Sequence, residues 1–215
     1  MSRYSAPGHG SLVDVSTGAI HQVSVVERTH WNDVSAALAA AFHDDPVFGW
    51  LLPDGAKRAR SLRRFFTIET RRIVLRHGRS MATRAAGTSG AALVLPPGSW
   101  RTPLHVQALF APRYAQIFRA RLPRALGLLT HLERKHPRYP HVYFPYIGVS
   151  PEAQGNGLGT ALLQPVLERC DREGVPAYLE ASNPRCAVLY ERLGFVGIED
   201  VAAFGSPPIR LMVRR

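Results

Sequence analysis

Three glycines alternate with other residues in the stretch YIGVSPEAQGNGLGTAL, Tyr146 to Leu162. An apolar segment ends at Val149, Ser150-Pro151-Glu152 turns the chain, and Leu158, Ala161, Leu162, Pro165 and Val166 recur at helical spacing. Gly155, Gly157 and Gly159 therefore fall between a strand and a helix that starts near Gly155. They leave main-chain N–H groups uncovered at a helix N-terminus, where first-turn amides lack partners and the macrodipole favours an anion. The alternation does not fit the dinucleotide fingerprint G-x-G-x-x-G, and no Lys-Ser/Thr pair follows to make a nucleoside-triphosphate loop. A tight turn using glycine for sterics alone is the other reading of the same residues.

A second chemical group stands further on. Glu180 lies between Leu179 and Ala181 in VPAYLEA, a segment otherwise fit for a buried strand. A carboxylate there needs a partner or an opening to water. It is a candidate base or amine anchor, with a structural pairing to an arginine as the alternative. Tyr143, His141 and His43 are lesser candidates for the same chemistry. Cys170 and Cys186 have no metal-ligand spacing and read as packed thiols, so no metal site is expected.

Gln154, Gly157 and Gly159 fill the Q/R-x-x-G-x-G/A signature, and Asn183-Pro184 followed by Tyr190-Glu191-Arg192-Leu193-Gly194-Phe195 resembles its second half. In these segments the chain resembles the GNAT superfamily of N-acetyltransferases. In outline it is most similar to the branch around puromycin N-acetyltransferase, over roughly residues 22–215 and most strongly over 140–200. The resemblance implies a mixed, mostly antiparallel sheet of about six or seven strands, with one splayed parallel pair and helices on both faces. It implies acetyl-CoA as co-substrate, its pyrophosphate held by Gln154, Gly155, Asn156, Gly157, Leu158, Gly159 and Thr160. Main-chain groups of Ile147, Gly148 and Val149 would hold the pantetheine arm, with Asn183 contacting it, unless Asn183 is only a helix cap. Tyr190 falls where the family commonly carries the acid for the departing thiolate. Asp44 and Asp45, with Tyr143, would line the acceptor pocket, against a solvated turn before Pro46 as the alternative. The expected reaction is direct transfer of an acetyl group to a primary amine of a small molecule, with a cationic acceptor favoured. A regulatory GNAT module that binds acyl-CoA without catalysis, or a nucleic-acid-binding protein, are the rival classes.

The elements that must position these residues follow from pattern. Residues 1–20 show no periodicity and are expected as a flexible tail, with one domain over 21–215. A strand is expected over His21–Arg28, a helix capped by Thr29 or Asn32, and a long helix from Asp54 to Arg76. A hairpin is expected from Arg79 to Leu95. Residues 102–136 form a helical insertion that Pro112 and Pro123 should divide, with Tyr114, Ile117, Phe118, Leu122, Leu126, Leu129 and Leu132 as its apolar face. Pro145 lies mid-way along the strand His141–Val149, where a residue without an N–H marks an edge or bulge. The next strand is Val175–Ala181.

Composition bounds the rest. The 215 residues carry 27 Lys+Arg against 16 Asp+Glu, a net +11 that is almost all arginine, spread along helices rather than gathered in one basic block. That spread favours compositional bias over specific nucleic-acid binding. No apolar run reaches the ~18 residues of a membrane span, and the first twenty lack a signal-peptide core. A cytoplasmic protein, monomer or homodimer, with no membrane partner, is expected.

Overall fold

The computed structural model describes residues 12–13, 21–83 and 88–215. Its sheet has eight strands: β1 (Leu12–Val13), β2 (His21–Val25), β3 (Met81–Thr83), β4 (Gly90–Leu95), β5 (Val142–Val149), β6 (Ala177–Ala181), β7 (Val196–Val201) and β8 (Ile209–Arg214). Their order is β1-β2-β3-β4-β5-β6-β8-β7. Every neighbouring pair is antiparallel except β5 with β6. The eighth strand arises because Leu12–Val13 pairs with β2; the rest of the expected 1–20 tail lies outside the described residues.

Helices cover both faces: α1 (Trp31–Ala41), α2 (Pro46–Leu51), α3 (Gly55–His77), α4 (Leu104–Phe118), α5 (Leu122–Lys135), α6 (Leu158–Glu173) and α7 (Pro184–Arg192). Strand side chains alternate between two cores. In β4, Ala91, Leu93 and Leu95 join the cluster beneath α1 to α5, while Ala92 and Val94 join the cluster beneath α6 and α7. Neither Thr29 nor Asn32 caps the first helix, which starts at Trp31 with His30 at the cap position. A 3-10 turn covers Arg28–His30, and Asn32 faces sideways to take Arg63 Nη2 at 2.6 Å.

The insertion is two helices, but the break is not where the prolines suggest. Pro112 sits inside α4, and the chain turns instead at Arg119, φ 48°. Phe110, Tyr114 and Phe118, spaced by four, pack one face of α4 against the core on both sides of Pro112. That packing offsets the hydrogen bond proline removes. Pro123 does lie in the first turn of α5, where its missing N–H is harmless.

In β5 a bulge decides which side chains face which core. Leu93 pairs with Tyr146 and Leu95 with Tyr143, so two residues of β5, Phe144 and Pro145, oppose Val94 alone. The extra residue inverts the alternation. Val142 and Phe144 point toward α6 before it, Ile147 and Val149 after it, and so Tyr143 and Tyr146 share the face toward α1 to α5. Pairing with β6 covers Val142, Tyr143 and Phe144 and then stops. From Pro145 onward the two strands diverge, leaving a V between them.

Gly148 lets α1 cross β5 closely. A Cβ there would lie 2.7 Å from Ala41 Cβ and 3.2 Å from Leu38 Cδ2. Gly148→Ala should therefore lower stability by about 1–3 kcal/mol, the usual penalty for overpacking, read as a lower urea midpoint; an unchanged midpoint would mean α1 can lift off the strand freely.

Candidate active site

At one end of the V, α6 begins at Leu158 with Gly157 as its cap residue at φ 77°, and Gly155 before it at φ 81°. Both are left-handed conformations that side chains other than glycine rarely adopt. The helix starts three residues later than the pattern suggested, because these two glycines turn the chain rather than coil it. Its first internal bond is Ala161 N to Gly157 O, 3.0 Å, and no side chain caps the end. The amides of Leu158, Gly159 and Thr160 are thus the open first turn. Gly159 has a separate role: a Cβ there would meet Leu189 Cδ2 of α7 at 2.9 Å. Gln154 Nε2 donates to Val149 O at 3.0 Å and ties the loop to the end of β5. Asn156 donates back to the carbonyls of Ala153 and Gln154 and does not line the cleft.

A continuous cleft of about 1420 Å³ runs from this helix end along the V to the insertion. Ile147, Gly148 and Val149 form one wall, on the strand edge that β6 leaves unpaired. The acyl carrier the resemblance implies fits these features: open amides for a diphosphate, and a free strand edge for the amides of an extended arm.

Tyr190 is on α7, 6% exposed, and borders the cleft. Burial raises its pKa well above that of a free phenol, with Cys186 and Asp45 adding to the shift. Cys186 is exposed and lines the cleft, unlike the packed thiol expected; Cys170 is buried in α6. Asn183 caps α7, its Oδ1 accepting from Arg185 N at 3.0 Å, and also borders the cleft.

Asp44 and Asp45 do not act as a pair. Asp44 is exposed at the rim, hydrogen-bonded to His43 Nδ1 at 2.9 Å. Asp45 is 7% exposed and caps α2, accepting from Val47 N at 2.9 Å and Phe48 N at 3.0 Å, while the Ser182 hydroxyl donates to its other oxygen. This corrects both sequence readings of Asp45: its oxygens are occupied, so it is neither a free acidic lip nor a solvated turn.

Glu180 has found partners, and none is an arginine. Tyr143 Oη donates to Oε2 at 3.0 Å and Tyr178 Oη to Oε1 at 3.2 Å. His136 Nδ1 lies 3.6 Å from Oε1. Tyr178 was missed in the sequence although residues two apart in a strand share a face. His136 follows the last residue of α5, and no spacing in the sequence announces it. The carboxylate pushes the tyrosines' pKa values up, adding to the larger effect of their burial. A second polar cluster was also missed. Glu69 of α3 receives Tyr114 Oη and pairs with Arg72 Nη2 at 2.6 Å, and Arg72 Nη1 reaches Thr102 Oγ1 at 2.7 Å. It pins the insertion to α3 at the far wall of the cleft.

Around these groups the insertion supplies an apolar lining: Leu104, Val106, Phe110, Leu126, Leu129 and Leu132. The expected apolar face thus divides, with Ile117 and Phe118 buried in the core and Leu126 and Leu129 about half exposed, while Leu128, outside that face, is buried. Arg113, Arg119, Arg121 and Arg124 are absent from the lining. No helix among the described residues is long and apolar enough to cross a membrane, and none of their His, Cys, Asp or Glu side chains group in threes fit for a metal.

Comparison with known proteins agrees with this fold. The profile of the Acetyltransferase (GNAT) family matches residues 105–195. An uncharacterized N-acetyltransferase of Schizosaccharomyces pombe is 28% identical over 206 residues, 88% of this chain and 81% of that protein. A mycothiol acetyltransferase of Paenarthrobacter aurescens is 37% identical over 82 residues, 35% of this chain but a quarter (25%) of the relative's length. A crystal structure described as histone acetyltransferase HPA2 and related acetyltransferase, from Corynebacterium glutamicum, superposes with a TM-score of 0.68 at 26% identity, covering 90% of this chain and 95% of the other. In sequence over residues 105–195, and in fold over nine-tenths of its length, the chain is similar to acetyltransferases of the GNAT family.

The Asp45 contacts carry a stability prediction. Burial raises the pKa of this carboxyl, against the lowering effect of its hydrogen bonds. The folded state therefore binds its proton more tightly than the unfolded chain, and this contribution to stability declines as pH rises through the carboxylate range. Asp45→Asn, a neutral cap of the same shape, should be at least as stable as the parent at pH 7. Asp45→Ala should lose about 1 kcal/mol. Equal losses in urea denaturation would show that the charge, not the cap, is what matters there.

Proposed function

We propose that the protein transfers an acetyl group from acetyl-CoA directly to a primary amine on a small molecule with an apolar body. The observation that carries this reading is the single cleft joining the open first turn of α6, the unpaired edge of β5, Tyr190 and Glu180. The co-substrate would supply a thioester; the chain would supply position and proton handling. The amides of Leu158, Gly159 and Thr160 would receive the diphosphate, fixed donors that need no reorganisation. Main-chain groups of Ile147 to Val149 would hold the arm and aim the thioester carbonyl at the point where the V is widest.

Tyr190 would meet the departing sulfur. Its raised pKa means the hydroxyl keeps its proton through the neutral range, so it serves as a hydrogen-bond donor to the developing thiolate. Glu180 would take the proton of the incoming ammonium, and Tyr143 would steady the carboxylate during that exchange. Asn183 keeps α7 in place by capping it, so a direct contact to the co-substrate adds to that role rather than replacing it.

The acceptor end is apolar and acidic at once. Leu104, Val106, Leu126 and Leu129 offer a surface for a hydrocarbon or aromatic body, while Glu180 and Glu133 lie among the lining residues and Arg72 is neutralised by Glu69. An ammonium entering there gains attraction in reduced dielectric, whereas distant arginines are screened over about 8–10 Å. A cationic amine on an apolar body is the acceptor class this favours. The resemblance to the puromycin branch agrees with a bulky acceptor without fixing its identity.

Three variants test the reading. Gly157→Val would force a β-branched residue into a left-handed conformation under the diphosphate. CoA affinity by calorimetry should fall at least tenfold while the far-UV spectrum is retained; unchanged affinity would remove the α6 seat. With phenethylamine, tryptamine and agmatine as probe amines, Glu180→Gln should lower kcat/KM by about 10²–10⁴-fold. Tyr190→Phe should lower kcat by about 10²-fold with acetyl-CoA affinity kept. Variants within twofold of the parent would return these residues to structural roles.

A further inference from the structure

Glu180 by itself is a poor base. Two tyrosine hydroxyls donate to it, at 3.0 and 3.2 Å, and an ordinary carboxylate is far less basic than an amine. An alkylammonium, with an ordinary pKa near 10, would give such a carboxylate its proton only at a steep cost. What lies behind the carboxylate changes that. The His136 ring is boxed by aromatic side chains: it stacks on Trp100 at a centroid distance of 4.0 Å and meets Tyr143 and Tyr178 edge-on, each at 4.7 Å.

The hydrogen bonds fix how both histidine rings are protonated. His141 Nδ1 is 2.7 Å from the Tyr139 carbonyl. A carbonyl only accepts, so the His141 proton is on Nδ1. Burial pushes the His141 pKa down, the carbonyl contact opposing it, so the ring is neutral near pH 7 and its Nε2 presents a lone pair. His136 Nε2 lies 3.0 Å from that lone pair and must donate. His136 therefore carries a proton on Nε2, and the nitrogen left facing Glu180 Oε1, at 3.6 Å, is Nδ1.

We propose that Glu180 and His136 act as one two-site proton acceptor, in which the proton taken from the acceptor ammonium is shared between Glu180 Oε1 and His136 Nδ1, with His141 as the positioning residue that fixes the tautomer. This rests on the reading of Glu180 as the base. In the step, one N–H bond of the ammonium breaks, its electron pair stays on nitrogen for attack on the thioester, and the proton joins the carboxylate–imidazole pair. The site goes from a net charge of −1 to neutral, nothing is oxidised or reduced, and the proton leaves to solvent once the product departs. Imidazole is intrinsically more basic than a carboxylate, and the His136 ring is held in place by its stack on Trp100. The other charged groups nearby do not fill Nδ1. Lys135 of α5 is bound to Glu199 of β7 at 2.7 Å, and Glu133 of α5 borders the cleft. Tyr146 of β5 is uncharged, its pKa pushed up by burial.

The decisive experiment is long-range ¹H–¹⁵N correlation of the histidine rings in the full-length protein, without substrate, over pH 5.5–9, with His136→Gln used to assign the signals. At pH 8 the neutral His136 ring should be the Nε2–H tautomer with Nδ1 bare. A His136 ring doubly protonated through pH 9, or the Nδ1–H tautomer, would overturn the proposal. Kinetics give the second arm, with phenethylamine, tryptamine and agmatine as amines. His136→Gln should reduce kcat/KM roughly 10–100-fold at pH 7, with the deficit shrinking toward pH 9 as the amine arrives deprotonated, and with KM for acetyl-CoA unchanged. A deficit that is the same at every pH would mark His136 as structural only. Full activity of Glu180→Gln would instead sink the base assignment, a result the tautomer spectrum cannot mimic.

Discussion

Everything in the active cleft depends on β5 and β6 ceasing to pair after Phe144. A parallel ladder would normally continue while both strands last, and β6 runs on to Ala181 against β8. At the next position β5 carries Pro145, which has no N–H to donate. The same two residues form the bulge against β4, so one local irregularity ends the parallel ladder and rotates the strand. The backbone groups thereby released form a regular peptide edge facing the cleft. Their direction is set by the bulge, which also brings Tyr146 to the same face as Tyr143. Elsewhere β5 is held firmly, by β4 along its length and by α1 pressed against Gly148. The V is therefore a rigid opening rather than a frayed end.

From that opening the chemistry separates by distance along the cleft. The α6 end is electropositive through its open amides, the setting that suits phosphate charge. The α4–α5 end is lined by leucines and holds its ionisable groups in closed sets, Glu69 with Arg72 and Tyr114, and Glu180 with Tyr143, Tyr178 and His136. Such closed sets are how a carboxylate can sit at 16% side-chain exposure without an arginine. They also let a strongly basic chain present carboxylates at the α4–α5 end: of the three arginines that border the cleft, Arg72 is paired with Glu69, and Arg185 and Arg192 belong to α7.

What the sequence disclosed was what is local. The glycine spacing, the apolar helix after it, the Asn183-Pro184 cap and the misfit of Pro145 in a strand each involve a few consecutive residues whose backbone preferences are strong. Glu180 stood out because a charge interrupts an apolar run. The set around Glu180 was not legible, because His136, Tyr143 and Tyr178 converge from three separate segments. Only the step from Tyr178 to Glu180, two residues along one strand, left a trace. Pro112 misled because its helix is held by packing on both sides, which outweighs propensity. Asp45 misled because nothing in HDDP tells that Ser182, 137 residues away, completes its shell.

The most direct measurement is a crystal structure of the protein with CoA and a non-reactive amine analogue. The account predicts the diphosphate on the amides of Leu158, Gly159 and Thr160 and the pantetheine arm against Ile147 to Val149. It also predicts the thiol within hydrogen-bonding reach of Tyr190 Oη, and the amine nitrogen between that sulfur and Glu180. A thiol directed away from the V, or an amine seated against Glu69 and Arg72 instead, would contradict it.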